Sequence, residues 1–155
     1  MPAISQRLLD LGITLPQPAA PVADYVPFTV AGNLLFISGQ LPLADGRLVH
    51  AGQVGAECTP RDARAAARLC AINCIAQAAR ALDDDMTRIV SVVKLTGYVN
   101  AAPGFADHPK VVDGASSLMA EVFGEAGRHA RAAVGCSSLP LNAPVELEAI
   151  FHVMT

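Results

Sequence analysis

Charge is scarce in this chain, and its scarcity excludes several classes of partner. Only 16% of the 155 residues are Asp, Glu, Lys or Arg, with a net charge of −3. No global positive field therefore draws in nucleic acid or an anionic membrane. Aromatic residues make up 5%, and no aromatic-basic stripe offers bases a stacking platform. No apolar run approaches the length of a membrane-spanning helix, and the segment before Pro16 carries one arginine without the apolar stretch of a secretory signal. The expectation is a cytoplasmic protein with neither nucleic acid nor membrane as partner. Cys58, Cys70, Cys74 and Cys136 form no CxxC pair and no disulfide-scaffold spacing, which fits a reducing compartment. Cys70 and Cys74, one helical turn apart, have no second pair to complete a metal site and read as small core residues. His50, His108, His129 and His152 are scattered without an HxH or HExxH pattern. Ser38 lacks the flanking glycine of a nucleophile elbow. No metal is expected.

What is abundant is apolar surface. The hydrophobic set reaches 52%, more than a small monomer needs, so some surface is expected to lie under another subunit of a homo-oligomer. The length suits one domain with a self-sufficient core. Residues 1–22 read as an appended arm, a short helix over residues 4–12 ended by Gly12 and followed by a Pro/Ala-rich connector. The main domain is expected over residues 23–155. It opens with strands at Val26–Ala31 and Leu34–Ser38 around a Gly32-Asn33 turn. Thr59-Pro60-Arg61-Asp62 predicts a helix start, running to about Leu82 with Ala63, Ala67, Cys70, Cys74 and Ala78 on one face. Ile89–Asn100 reads as a strand, 101–109 as a loop, and 111–123 as a second helix ending near Gly124. Asp83-Asp84-Asp85 reads as a solvated turn.

The last stretch, from Arg131 through Leu139-Pro140 to Phe151, reads as an apolar hairpin holding two charged groups. Val145, Leu147, Ala149 and Phe151 share one face; Glu146, Glu148 and Ile150 share the other. The expectation is that Arg131 and Glu146 project into a single pocket, suited to a small carboxylate and a water molecule. The whole order is β-β-α-β-α-β-β, an α+β sheet with both helices on one face.

The string Tyr25-Val26, Gly32 through Pro42 (GNLLFISGQLP), Arg131, and Leu139-Pro140 through Val145-Glu146-Leu147-Glu148-Ala149-Ile150 resembles the RidA family, also called YjgF or L-PSP. The resemblance runs from about Tyr25 to Val153. It implies a chorismate-mutase-like fold of the bacillary type, a homotrimer with a barrel-like core, and active sites in the clefts between subunits. The implied activity is hydrolysis of enamine and imine intermediates, such as 2-aminoacrylate, to a 2-keto acid and ammonia, without a cofactor. Residue by residue, Arg131 matches the carboxylate-binding arginine and Glu146 the glutamate that holds or polarises water. Tyr25 matches a pocket tyrosine and Gly39 a glycine bordering the ligand. Ala133 stands where the family often has cysteine, so only its backbone N–H could serve a substrate. Ser116 stands near the family's pocket asparagine. The loop 102–114 and the arm mark a distinct branch.

The chemistry suits these residue types. A guanidinium donates two parallel hydrogen bonds to a carboxylate and stays charged in a partly dry cleft. A carboxylate beside it could orient or deprotonate water, a role worth about 10²- to 10⁴-fold in rate. The competing readings are a structural Arg131–Glu146 ion pair at a subunit interface, a non-catalytic regulatory trimer that binds small carboxylates, and the RNA cleavage for which part of the family was named.

Overall fold

The computed structural model describes residues 3–18, 20 and 23–155. Parts of the connector, at 19, 21 and 22, and the first two residues lie outside the described residues. Helix α1 (Ile4–Asp10) precedes strands β1 (Phe28–Ala31), β2 (Leu34–Gln40), β3 (Leu43–Ala44) and β4 (Arg47–Leu48). Then come α2 (Pro60–Ala81), β5 (Ile89–Asn100), α3 (His108–Phe123), β6 (Ala130–Cys136) and β7 (Val145–Val153). Five strands form one sheet in the order β1-β2-β7-β5-β6, and β3-β4 is a small separate ribbon. All pairs in the large sheet are antiparallel except β5 with β6, which run parallel through the α3 crossover.

The start of α2 is the one its sequence predicts. Thr59 Oγ1 accepts from the Asp62 N–H at 3.1 Å, with Pro60 in the first turn. Its alanines bring it close to its neighbours: Ala63, Ala66, Ala67 and Ala71 are fully buried. Cys70 and Cys74 donate their thiols to the carbonyls of Val145 and Leu147 at 3.7 and 3.6 Å. Burial pushes both thiols well above their ordinary range, so they pack as small core residues. Helix α3 crosses α2 where Gly114 meets the Arg64 carbonyl; a β-carbon there would collide with that oxygen. It starts at His108, three residues earlier than the pattern predicts, because Pro109 sits in its first turn, where a missing N–H costs nothing.

Both long helices cover one face of the sheet. Leu35, Leu95, Leu147 and Phe151 point into that layer and are fully buried. Strand β7 alternates strictly between buried and half-buried positions, as its period-two pattern predicts. Among the described residues, no helix covers the other face. The arm is docked on the domain: Leu8 is buried in the core, Arg7 donates to the Glu121 carbonyl of α3 at 3.3 Å, and Leu11, Ile13 and Leu15 pack alongside. Among the described residues no helix is long and apolar enough to cross a membrane. Asp83 and Asp84 form an exposed turn in left-handed backbone.

One expectation fails. β6 and β7 do not form a hairpin, because β7 inserts between β2 and β5 while β6 takes the outer edge of β5. The short link over 137–144 permits a hairpin but does not require one.

Candidate functional site

The sheet register decides where the two charged groups point. Leu95 pairs with Arg131 on one side and Ala149 on the other, whereas Tyr98 pairs with Glu146. Leu95 and Tyr98 are three residues apart on an unbroken stretch of β5, so they face opposite sides. Arg131 therefore lies on the helix-covered side and Glu146 on the bare side. Within one chain they do not share a pocket, which corrects the expectation drawn from the presumed hairpin.

Glu146 sits half-buried on the bare face, with its carboxylate against the backbone of Gly39. A β-carbon at Gly39 would collide with Glu146 Oε1, so only glycine lets the acid lie there. Burial, and then the neighbouring charge of Glu148, hold the Glu146 carboxyl above the ordinary range. Tyr98 donates to Glu148 Oε1 at 3.0 Å, and that bond pushes the phenol up, with burial adding to it. Tyr25 is 52% exposed. It lines a hollow of about 200 Å³ together with Gly39, Ser38 and Leu141. Ser38 Oγ donates to the Val26 carbonyl at 2.7 Å, which ties the segment after Tyr25 to β2. Leu141 is 70% exposed and has a φ of 58°, a backbone state that leucine rarely adopts.

Arg131 belongs to a second cluster at the sheet edge. Its Nη1 donates to Asp113 Oδ1 at 2.7 Å and to Ser116 Oγ at 3.2 Å, and its Nη2 to the Pro109 carbonyl at 3.4 Å. Ser116 also meets His129 Nε2 at 2.9 Å, and His129 Nδ1 meets the Gly127 carbonyl at 2.6 Å. A carbonyl only accepts, so Nδ1 carries a proton; in the neutral ring Nε2 then accepts from the Ser116 hydroxyl. The Arg131 side chain is 22% exposed and that of Asp113 45%. Ala133 lies on the same side as Arg131, paired with Gly97 and packed against the core. As the edge strand, β6 keeps half of its backbone groups turned away from β5.

The predicted residues thus fall into two groups: Glu146, Gly39 and Tyr25 in one, Arg131, Ser116 and Ala133 in the other. Sequence reasoning missed Asp113, although its place three residues before Ser116 on a helix puts both side chains on one face. It also missed Tyr98, whose role depends on a pairing between distant strands. Among the described residues no three His, Cys, Asp or Glu side chains converge as metal ligands would.

The "YjgF/chorismate_mutase-like, putative endoribonuclease" family model matches residues 5–152. The chain belongs to that family. The match begins inside the arm, twenty residues before the motif that carries the sequence resemblance. A Trypanosoma cruzi protein named TCP17 is 45% identical over 151 residues, covering 97% of this chain and 94% of its own length. The crystal structure of Agrobacterium tumefaciens Atu1372, a protein of unknown function, has 49% identity and a TM-score of 0.92, with 97% of this chain and 92% of that one covered. A Shewanella oneidensis structure described as a putative endoribonuclease has 37% identity and a TM-score of 0.94, with 98% and 100% covered. The chorismate-mutase-like α+β fold of the YjgF family is therefore that of this chain.

Proposed function

We propose that this protein hydrolyses small 2-imino acids, the enamine and imine intermediates of the 2-aminoacrylate type, to 2-keto acids and ammonia, at sites completed between copies of the chain in a homotrimer. One observation carries the reading. Arg131 and Glu146 lie on the two parts of the sheet that one chain leaves open, its β6 edge and its bare face. Packing one copy's edge against the next copy's bare face would bring Arg131 of the first to Glu146 of the second. Val90 and Val134, 40% and 44% exposed on the bare face, give that packing an apolar drive.

In such a cleft Arg131 holds the substrate carboxylate through Nε–H and the remaining Nη2–H. Glu146 accepts a proton from water as the water oxygen bonds to the carbon of the protonated imine, giving a carbinolamine, and then returns that proton to nitrogen. The C–N bond breaks as Glu146 takes the carbinol hydroxyl proton, and ammonia leaves with the keto acid, carrying that proton away as ammonium. Desolvation keeps the Glu146 carboxylate a stronger base than an exposed one, which suits this role. Tyr25 and Gly39 border the ligand, and backbone groups near Ala133 serve its carboxylate.

The test is keto-acid release from imines generated by an amino-acid oxidase, with a trapping agent competing for the imine. Acceleration over the uncatalysed rate is expected for compact side chains. No acceleration for any imine leaves the regulatory-trimer reading, in which a keto acid binds and raises thermal stability. The endoribonuclease activity in relatives' descriptions has less support, since the chain is acidic and Glu146, Glu148 and Asp113 would repel a phosphate backbone. Nuclease activity that survives purification and disappears in Arg131→Ala would restore it.

A further inference from the structure

The anchor arginine already carries a carboxylate from its own chain. Asp113 Oδ1 lies 2.7 Å from Arg131 Nη1, and Ser116 Oγ takes the other Nη1 hydrogen at 3.2 Å. The end-on fork of the guanidinium, formed by Nη1 and Nη2, is thus taken. The Pro109 carbonyl, 3.4 Å away, occupies one Nη2 hydrogen and adds a partial negative charge of its own. Among the described residues, what remains for a ligand is the lateral edge, the Nε–H and one Nη2–H. That edge still suits a planar two-oxygen group, but the positive charge behind it is already neutralised.

We infer that Asp113 sets the charge the site accepts: it masks Arg131, so that a ligand is held there by two directed hydrogen bonds rather than by net attraction, and carries at most one negative charge. This deepens the proposed function and rests on Arg131 being the ligand anchor. The bare face adds two carboxylates, Glu146 and Glu148, against the single ammonium of Lys94, which lines the same hollow as Glu148, and Ser116 adds no charge. Dicarboxylates and phosphate esters are disfavoured on this basis, and monocarboxylates or uncharged planar groups such as carboxamides are preferred. The feature is specific to Asp113, because an asparagine there would make the same hydrogen bond through Oδ1 and leave Arg131 charged.

The experiment is calorimetric binding of three probes of stepped charge, pyruvamide, pyruvate and 2-oxoglutarate, to wild type, Asp113→Asn and Arg131→Ala. Wild type is expected to bind pyruvamide within about threefold of pyruvate, and 2-oxoglutarate about tenfold more weakly. Asp113→Asn should tighten pyruvate about tenfold, leave pyruvamide unchanged and narrow the gap to 2-oxoglutarate. Wild-type pyruvate affinity should change little between about 20 and 300 mM salt, while that of the variant falls. Asp113 is half-exposed and asparagine nearly isosteric, so the melting temperature reports whether the variant stays folded; the salt series on wild type needs no variant at all. Weaker pyruvate binding in Asp113→Asn, as a residue that only holds Arg131 in place would give, overturns the inference and leaves the hydrolase standing. The same holds for wild-type binding that is steeply salt-dependent. Tighter pyruvate binding without any imine hydrolysis supports the inference and removes the hydrolase. Unchanged pyruvate binding in Arg131→Ala, or no binding of any probe to wild type, removes both.

Discussion

The two faces of the large sheet are built from the same alternation yet meet opposite demands. On the covered face, Leu35, Leu95, Leu147 and Phe151 are sealed under alanine-rich α2 and under α3, whose Gly114 admits no larger side chain. On the bare face, Tyr98, Glu146 and Glu148 stand among Val90, Val134 and Phe36, with the apolar groups partly open to solvent. Close packing explains the first face, because each side chain there has a neighbour to satisfy it. The second has no such seal: a half-buried pair of like-charged acids stands there beside exposed valines, which is why the proposed function places a second copy against it. Arg131 belongs by register to the covered side, but at its rim, where β6 is the last strand. The candidate polar residues thus collect where a single chain stops covering itself.

The sharpest way to break this comparison is to disable each side separately. Glu146→Gln is expected to lower kcat for imine hydrolysis by about 10²- to 10⁴-fold while pyruvate still binds. Its thermal stability should stay level or rise. The Glu146 carboxyl is held above its unfolded value by burial and by Glu148, so the folded chain binds the proton more tightly than the unfolded one. Its ionisation therefore costs stability as pH rises through that raised value, and an uncharged amide is spared this cost. Arg131→Ala should lower kcat/KM by about 10²-fold through lost charge-assisted hydrogen bonds. Losing the half-exposed ion pair to Asp113 should change stability by about 1 kcal/mol or less. A Glu146→Gln variant with full activity would reduce the bare face to an interface alone.

Mixing the two inactive variants tests whether the faces work together across copies. If each cleft takes Arg131 from one chain and Glu146 from the next, an Arg131→Ala chain beside a Glu146→Gln chain forms one cleft with both native residues. Random reassembly in a closed ring should then restore about a quarter of wild-type activity. A site built within one chain would recover none, so co-refolding followed by an activity assay decides the matter.

This split is also where sequence and structure part company. Period-two alternation correctly divided Val145, Leu147, Ala149 and Phe151 from Glu146 and Glu148, because facing is a property of one strand. Thr59 and Pro60 marked the start of α2, because a cap is local. The partner of β6 is a long-range choice: nothing in residues 137–144 says that β7 will seat between β2 and β5. The hairpin reading consequently put Arg131 and Glu146 in one pocket, when register puts them on opposite faces. Ser116 was legible near Arg131 only through family resemblance, and Asp113 was legible only through its helical spacing from Ser116, since a helical aspartate by itself looks the same in sequence with or without an arginine across from it.

A gentler probe of the bare face is Glu148→Gln. Glu148 is the second cause, after burial, of the raised Glu146 carboxyl. Removing its charge should bring Glu146 down toward the ordinary range. If Glu146 works as the base, activity is lost as pH falls through its value, so the acidic limb of the kcat/KM profile should move to lower pH. The amide oxygen that Glu148→Gln introduces can still accept from Tyr98, so the plateau rate should change little. A limb that stays in place would separate the acidic limb from Glu146.

The smallest expected effect lies at the rim. Ser116→Ala removes one acceptor from Arg131 Nη1 and the donor to His129 Nε2, but leaves the shorter bond from Asp113 to the same nitrogen. The guanidinium should stay in place with somewhat more freedom. A neutral hydrogen bond at a partly exposed site contributes about 1 kcal/mol, so KM for a 2-imino acid should rise by only about threefold to fivefold, with kcat nearly unchanged. A fall in kcat comparable to that of Glu146→Gln would mean that the Ser116–His129 pair moves protons itself. The reactive centre would then lie wholly on the covered side of the sheet, and the bare face would serve only to join copies.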